Sequence, residues 1–176
     1  MWLFLISTNK ISPLKQVDVI ARKIFSLPQL LQKIAQWKVL DKSIAFTNGV
    51  FDILHPGHIF SLSQAAREAD YLIVAINSDE SVKRLKGNGR PVNPQDSRAL
   101  ILASLVITDA IIVFEEDTPL KLINMIKPDL LVKGGDYTLE QIVGAKEVLA
   151  NGGRVVISPT VEGYSTTRII DKMRPS

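Results

Sequence analysis

The sequence contains no cysteine. That excludes a disulfide framework and thiolate chemistry. It also lacks a long apolar run. The longest N-terminal stretch of that kind, Met1-Trp2-Leu3-Phe4-Leu5-Ile6, falls far short of the ~20 residues that span a bilayer. No basic leader or small-residue cleavage site accompanies it, so it is not read as a signal peptide. A cytoplasmic protein with no membrane partner is expected. Strong charge is missing too. The formal net charge is only +3, and the Lys and Arg residues are scattered with few aromatics among them. A nucleic-acid platform needs a basic stripe with stacking rings, so no nucleic-acid partner is expected. Histidine is nearly absent: there are two, at positions 55 and 58.

What remains is an ordinary globular composition. Of 176 residues, 46% are hydrophobic. A chain of this length buries roughly 70% of its unfolded surface, so it needs no covalent staple. Apolar runs at Ile44–Thr47, Tyr71–Ile76, Ala110–Phe114, Leu130–Val132 and Arg154–Ile157 alternate with helical patterns. Continuous apolar runs suit parallel strands covered on both faces. The expected fold is α/β: an open parallel sheet of about five strands with helices on both faces. Residues 1–42 are read as an N-terminal arm and helix, and residues 43–176 as the main domain.

The helix expectations rest on local punctuation. Ser26-Leu27-Pro28-Gln29 is a capping-box start. Asn93-Pro94 predicts a second start with Asn93 as cap, and Leu100, Ile101, Leu102 and Leu105 as the apolar residues. Leu139 to Leu149 reads as one helix, ended by Asn151-Gly152-Gly153.

The two histidines stand in Asn48-Gly49-Val50-Phe51-Asp52-Ile53-Leu54-His55-Pro56-Gly57-His58. A strand precedes this stretch and a helix starting at Pro56 follows it. Three residues apart at a helix start, both rings can face one ligand, and the helix N-terminus favours an anion. Gly57 lets that ligand approach the backbone. Ligands in open α/β sheets bind beyond the carboxyl ends of the strands, where this turn falls. A metal pair is the alternative reading. It ranks lower because no Cys or carboxylate set accompanies the histidines, so no metal-ligating residue is assigned.

Three further segments carry candidates. Asn77-Ser78-Asp79-Glu80 is followed by Lys83, Arg84, Lys86 and Arg90 beside a glycine loop. Lys86 is the candidate for nucleotide phosphates; Asp79, Lys83 and Arg90 are candidates for the acceptor substrate. In Lys133-Gly134-Gly135-Asp136-Tyr137, Gly135 and Asp136 suit contact with a base or sugar. In Glu162-Gly163-Tyr164-Ser165-Thr166-Thr167-Arg168, the hydroxyls of Ser165, Thr166 and Thr167, with Arg168, lie at a helix start able to hold phosphate. Arg98 is either an ion-pair partner or a substrate contact.

His55-Pro56-Gly57-His58 resembles the His-x-Gly-His hallmark of the cytidylyltransferase-like nucleotidyltransferases. Within that family the stretch from Phe46 to about Met173 is most similar to the adenylyltransferase part of ADP-heptose synthases. The matching segments are Thr47-Asn48-Gly49-Val50-Phe51-Asp52, Arg84-Leu85-Lys86-Gly87, Arg90-Pro91-Val92-Asn93-Pro94, Phe114 to Pro119, Pro128 to Tyr137 and Ser165-Thr166-Thr167. The resemblance implies a Rossmann-like fold and catalytic roles for His55, His58 and Lys86. It implies ATP contacts for Asn48, Gly49, Val50, Phe51, Gly57, Gly135, Asp136, Ser165, Thr166, Thr167 and Arg168. It also implies Mg²⁺ on the triphosphate. The reaction it implies joins ATP and D-glycero-D-manno-heptose 1-phosphate into ADP-heptose and pyrophosphate, for lipopolysaccharide core or other surface glycans. Many such proteins carry a fused sugar kinase. Here a separate kinase is expected. Homodimers are common in the family, and the N-terminal arm is a candidate interface segment. A glycerol-phosphate-type cytidylyltransferase and a non-catalytic nucleotide-binding domain are the alternatives.

Overall fold

The structure is a computed structural model and describes residues 18–159, 161 and 163–173. The N-terminal arm up to residue 17, and Glu162 of the last motif, lie outside the described residues. In chain order the elements are α1 (Asp18–Ala21), α2 (Leu27–Val39), β1 (Ile44–Gly49), α3 (Pro56–Arg67), β2 (Tyr71–Asn77), α4 (Asp79–Lys86), α5 (Gln95–Ala103) and β3 (Ala110–Phe114). There follow α6 (Leu120–Ile126), β4 (Leu130–Gly134), α7 (Ala145–Ala150), β5 (Arg154–Ser158) and α8 (Thr166–Met173).

The strands form one parallel sheet in the order β3-β2-β1-β4-β5. The chain lays β1, β2 and β3 outward to one edge, then returns to place β4 on the other side of β1. That reversal puts the topological switch point between β1 and β4. Alternation along the strands splits the core into two layers. Ile44, Phe46, Ile73 and Ala75 face α2, α6 and α7; Ala45, Leu72, Val74 and Ile76 face α3 and α5. In the first layer Trp37 stacks on Tyr71 with ring centroids 4.1 Å apart, so α2 belongs to the sheet's own core. Ser26 N–H donates to the Gln29 side chain (3.0 Å), as the capping pattern predicts.

Carboxylates fasten the opposite edge of the sheet. Asp70 accepts from Ser43 N–H (3.0 Å), Asp129 from Ile44 N–H (2.8 Å) and Asp109 from Leu72 N–H (2.8 Å). These amides begin β1 and β2, where the ladder supplies no partner. Among the described residues no helix is long and apolar enough to cross a membrane.

Three helix expectations need correction. Asn93 does not cap α5; Pro94 occupies the cap position, and the Asn93 amide donates to the Asp52 carbonyl instead (2.6 Å). In α5 the buried residues are Arg98, Ala99, Leu102 and Ala103, while Leu100 and Ile101 are exposed. The expected helix from Leu139 is broken into a 3-10 turn, Leu139–Gln141, and α7. Gly144 causes the break. Its φ is 89°, and a Cβ there would lie 2.4 Å from Ile123 Cδ1.

Candidate active site

The site is built at the switch point. β1 ends at Asn48-Gly49 and β4 at Lys133-Gly134, side by side on the sheet's carboxyl edge. Between β1 and α3 the chain makes a tight turn through Phe51, whose φ of 47° is left-handed. Such a conformation costs a non-glycine residue roughly 1–2 kcal/mol, so the surroundings must hold it. Two buried charges do so.

Asp52 is 2% exposed and accepts from Arg90 Nε (2.7 Å), Val92 N–H (2.9 Å) and Asn93 N–H (2.9 Å). Burial pushes its carboxyl upward, yet the two N–H donors and Arg90 outweigh this and hold it below the usual carboxylate value. Arg98 is 1% exposed and donates to the carbonyls of Val50 (2.7 Å) and Asn93 (3.0 Å) and to Asp79 Oδ1 (2.7 Å). Of its two sequence readings, the ion pair is the one the structure displays. Together they tie the turn to α4 and α5.

His55 is the N-cap residue of α3 and His58 lies in its first turn. Their rings stack with centroids 3.8 Å apart and an interplanar angle of 20°. Phe51 tilts against His58 at 5.2 Å. Gly57 permits the close packing: a Cβ there would lie 3.1 Å from His55 Nδ1. Burial lowers the pKa of both rings, and for His58 burial plus the neighbouring His55 carries it down to about 4. Both imidazoles are therefore neutral near pH 7. Neither Nδ1 has a hydrogen-bond partner among the described residues. Those two nitrogens are shut off from solvent, while both histidines line one space.

That space is a cavity of about 260 Å³. It brings together Asn48, Gly49, Val50, Phe51, His55, Gly57, His58 and Gly135, all expected site residues. A second cavity of about 380 Å³ adjoins it across the Asn48–Val50 turn and contains Lys86. Lys86 is the last residue of α4, with Gly87 following as its C-cap.

The remaining candidates sit differently. Asp136 lies between Gly135 and Tyr137 but lines neither cavity. Ser165 Oγ accepts from Arg168 N–H (3.1 Å), an N-cap contact for α8. Thr166 Oγ1 donates to the Ile53 carbonyl (3.4 Å), which docks the helix start on the histidine turn. Thr167 and Arg168 are exposed. Tyr164, just before α8, does line the first cavity, and its ring lies nearly parallel to His55. Asp79, Lys83 and Arg90 pair with Arg98, Glu80 and Asp52 respectively. The cavity walls also include Ser61, Lys133 and Tyr137. Sequence reasoning assigned those three no site role. For Lys133 the one sequence mark is a lysine closing the apolar run Leu130-Leu131-Val132, which gains meaning once the strand order is known.

Comparison with known proteins agrees with this geometry. A profile described as Cytidylyltransferase-like matches residues 46–172. Relatives named Bifunctional protein HldE include one from Koribacter versatilis, 49% identical over 90% of this chain and 32% of its own length. Another, from Mesorhizobium japonicum, is 55% identical over 80% of this chain and 28% of its own length. The chain thus spans about a third of the length of the curated relatives it matches. Among solved structures, the lipopolysaccharide core biosynthesis protein from Thermoplasma volcanium is 28% identical, with a TM-score of 0.55 over 70% of this chain and 99% of that one. A pantoate-beta-alanine ligase from Francisella tularensis shares the fold at 17% identity, with a TM-score of 0.60 over 84% of this chain and 72% of that one. From the histidine turn to the last helix, this chain belongs to the cytidylyltransferase-like family.

Proposed function

We propose that the chain transfers AMP from ATP to a sugar 1-phosphate, D-glycero-D-manno-heptose 1-phosphate, giving ADP-heptose and pyrophosphate. The observation that carries this reading is the stacked His55–His58 pair lining a cavity at the switch point. The choice of adenine and heptose is supported by the HldE-named relatives and the segments quoted above.

In this reading an oxygen of the sugar phosphate attacks the α-phosphorus of ATP. A new P–O bond forms, the bond from the α-phosphorus to the bridging oxygen breaks, and its electron pair leaves with pyrophosphate. The acceptor arrives ionised, so no general base is assigned. Negative charge grows on the oxygens around phosphorus, and positioned donors stabilise it. Neutral imidazoles offer N–H groups to those oxygens. A bound polyanion also raises imidazole pKa values and favours the charged donors. Lys86 faces phosphate from the adjoining cavity, and Asn48 to Phe51 with Gly57 form the backbone wall. Gly135, Asp136, Ser165, Thr166, Thr167 and Arg168 are assigned to ATP, and Asp79, Lys83 and Arg90 to the acceptor side. Mg²⁺ enters as the ATP complex. Among the described residues no group of three His, Cys, Asp or Glu is gathered to hold it, and no step here runs through the ion.

The test is a matrix of ATP or CTP against candidate acceptor phosphates, read as pyrophosphate release. Release with ATP and heptose 1-phosphate is expected. Release with CTP alone would overturn the nucleotide assignment. Tight ATP binding with no acceptor-dependent release would replace the enzyme reading with a binding domain.

A further inference from the structure

Lys133 is a half-buried cation without an anion. It ends the apolar run of β4, and burial pushes its ammonium below the ordinary lysine value. Its contacts are the carbonyl of Asn48 (3.3 Å), the side-chain oxygen of Asn48 (3.4 Å) and the face of Tyr137 (5.8 Å to the centroid). All are neutral and the hydrogen bonds are long. Two neighbouring cations are matched: buried Arg98 by Asp79 and half-buried Arg90 by Asp52. Among the described residues no carboxylate pairs with Lys133. An unmatched charge partly withdrawn from water is costly and is expected where a ligand supplies the opposite sign.

Its position says which ligand. Five residues line both cavities: Asn48, Gly49, Val50, Lys133 and Tyr137. Only Lys133 among them carries a positive charge. In the reading above the histidines hold the α-phosphate, the acceptor phosphate has to reach it, and the joint opens onto the cavity they line. Two phosphate groups approaching for attack repel one another, and the joint is where that repulsion is greatest.

We infer that Lys133 holds the phosphate of the incoming acceptor at the joint between the two cavities, with Asn48 as the residue that positions its ammonium there. This rests on the nucleotidyltransferase reading. Lys133 thereby makes the enzyme select a phosphorylated acceptor. It bridges that phosphate to the α-phosphate held by the histidines and lowers the repulsion between them. Asn48 presents two oxygens from one side of the ammonium, which leaves the remaining N–H directions for phosphate.

The test uses the full chain with Lys133→Met, which keeps the stem and removes the charge, and Lys133→Arg, which keeps the charge. In steady-state pyrophosphate release, Lys133→Met is expected to raise the acceptor KM at least tenfold and lower kcat/KM on the order of 10²-fold. Its Kd for ATP, measured by calorimetry, is expected to change less than about threefold. Lys133→Arg is expected to recover a large part of the loss, which a packing role would not do. An unchanged acceptor KM, or a loss confined to ATP binding, overturns the assignment.

A second measurement is independent of turnover and of the variants' folding. Inorganic phosphate is titrated into wild-type protein carrying ¹³C-labelled lysine, with the ε-methylene signal of Lys133 identified by its loss in Lys133→Met or by its unusual titration. Saturable movement of that signal supports the phosphate site even in a protein that releases no pyrophosphate, where only the transfer reading has failed. A signal that stays still while the wild type turns over overturns the inference and leaves the transfer reading standing.

Discussion

Acidification is expected to destabilise the fold through His58 in particular. The ordinary imidazole value is 6.5 and the folded value is about 4. Between those two values the unfolded chain binds a proton that the folded chain refuses. Stability therefore falls as pH drops from about 6.5 toward about 4, and it is complete above 6.5. The gap corresponds to about 3 kcal/mol at the acid end, reached at up to about 1.4 kcal/mol per pH unit. Carboxylates contribute to acid unfolding as well, so the measurement is a difference. Urea unfolding of wild type and His58→Gln is compared from about pH 7.5 to about pH 4. The variant carries no titrating ring at that position, and its offset above about pH 7 is constant. Relative to wild type it is expected to gain about 2–3 kcal/mol as the pH falls. A difference that stays flat within about 0.5 kcal/mol refutes the reasoning, because a ring that protonates freely in the folded state has no such linkage. Proton NMR gives a direct check, since only two histidines exist in the chain. Both C2–H signals are expected to titrate below the ordinary value in the free protein and to move upward when pyrophosphate binds.

Four other outcomes are expected. His55→Ala and His58→Ala should each reduce pyrophosphate release on the order of 10²–10³-fold, as loss of one aimed donor does; near-normal turnover in either removes them from the site. Asp52→Asn should cost about 3 kcal/mol in denaturant unfolding at neutral pH, since it removes the buried carboxylate that pairs with half-buried Arg90, with the deficit shrinking as acid protonates wild-type Asp52. Gly144→Ala should cost at least about 1–3 kcal/mol, seen as a lower Tm, because it meets both a left-handed backbone and the Ile123 side chain. Lys86→Ala should impair turnover more than Lys83→Ala, because Lys86 lines a cavity while Lys83 is paired with Glu80 in solvent.

The histidine turn was legible because all its signals are contiguous. Strand, glycine, Pro56 and both rings fall within one window, and local rules suffice to read them. Five strands were legible for a similar reason: each is a short apolar run bounded by polar residues. The failures share a different cause. Asn93 has every mark of a cap, but its side chain is used by Asp52, which arrives from a distant part of the chain. Leu100 and Ile101 are apolar yet exposed, because Arg98 takes the buried face to reach Val50 and Asp79. Helical spacing runs through Gly144 without a mark, since the contact that fixes its conformation is with Ile123 on another helix. Lys133 gains meaning only from the strand order. Until β4 is known to lie beside β1, nothing places that ammonium against Asn48.

The carboxylates at the far edge of the sheet have a mechanical consequence. Asp70, Asp129 and Asp109 clamp the first amides of β1 and β2, so each strand is anchored at one end. Displacement under load is then uneven. The anchored ends act as a pivot, and the carboxyl ends, which carry Asn48 and the histidine turn, have the longest lever arm. Small adjustments of the turn around different ligands need not disturb strand register. In hydrogen exchange, the amides of Ser43, Ile44 and Leu72 are expected to outlast those of Gly49 to Leu54, which sets the slowly exchanging end of the molecule opposite its working end.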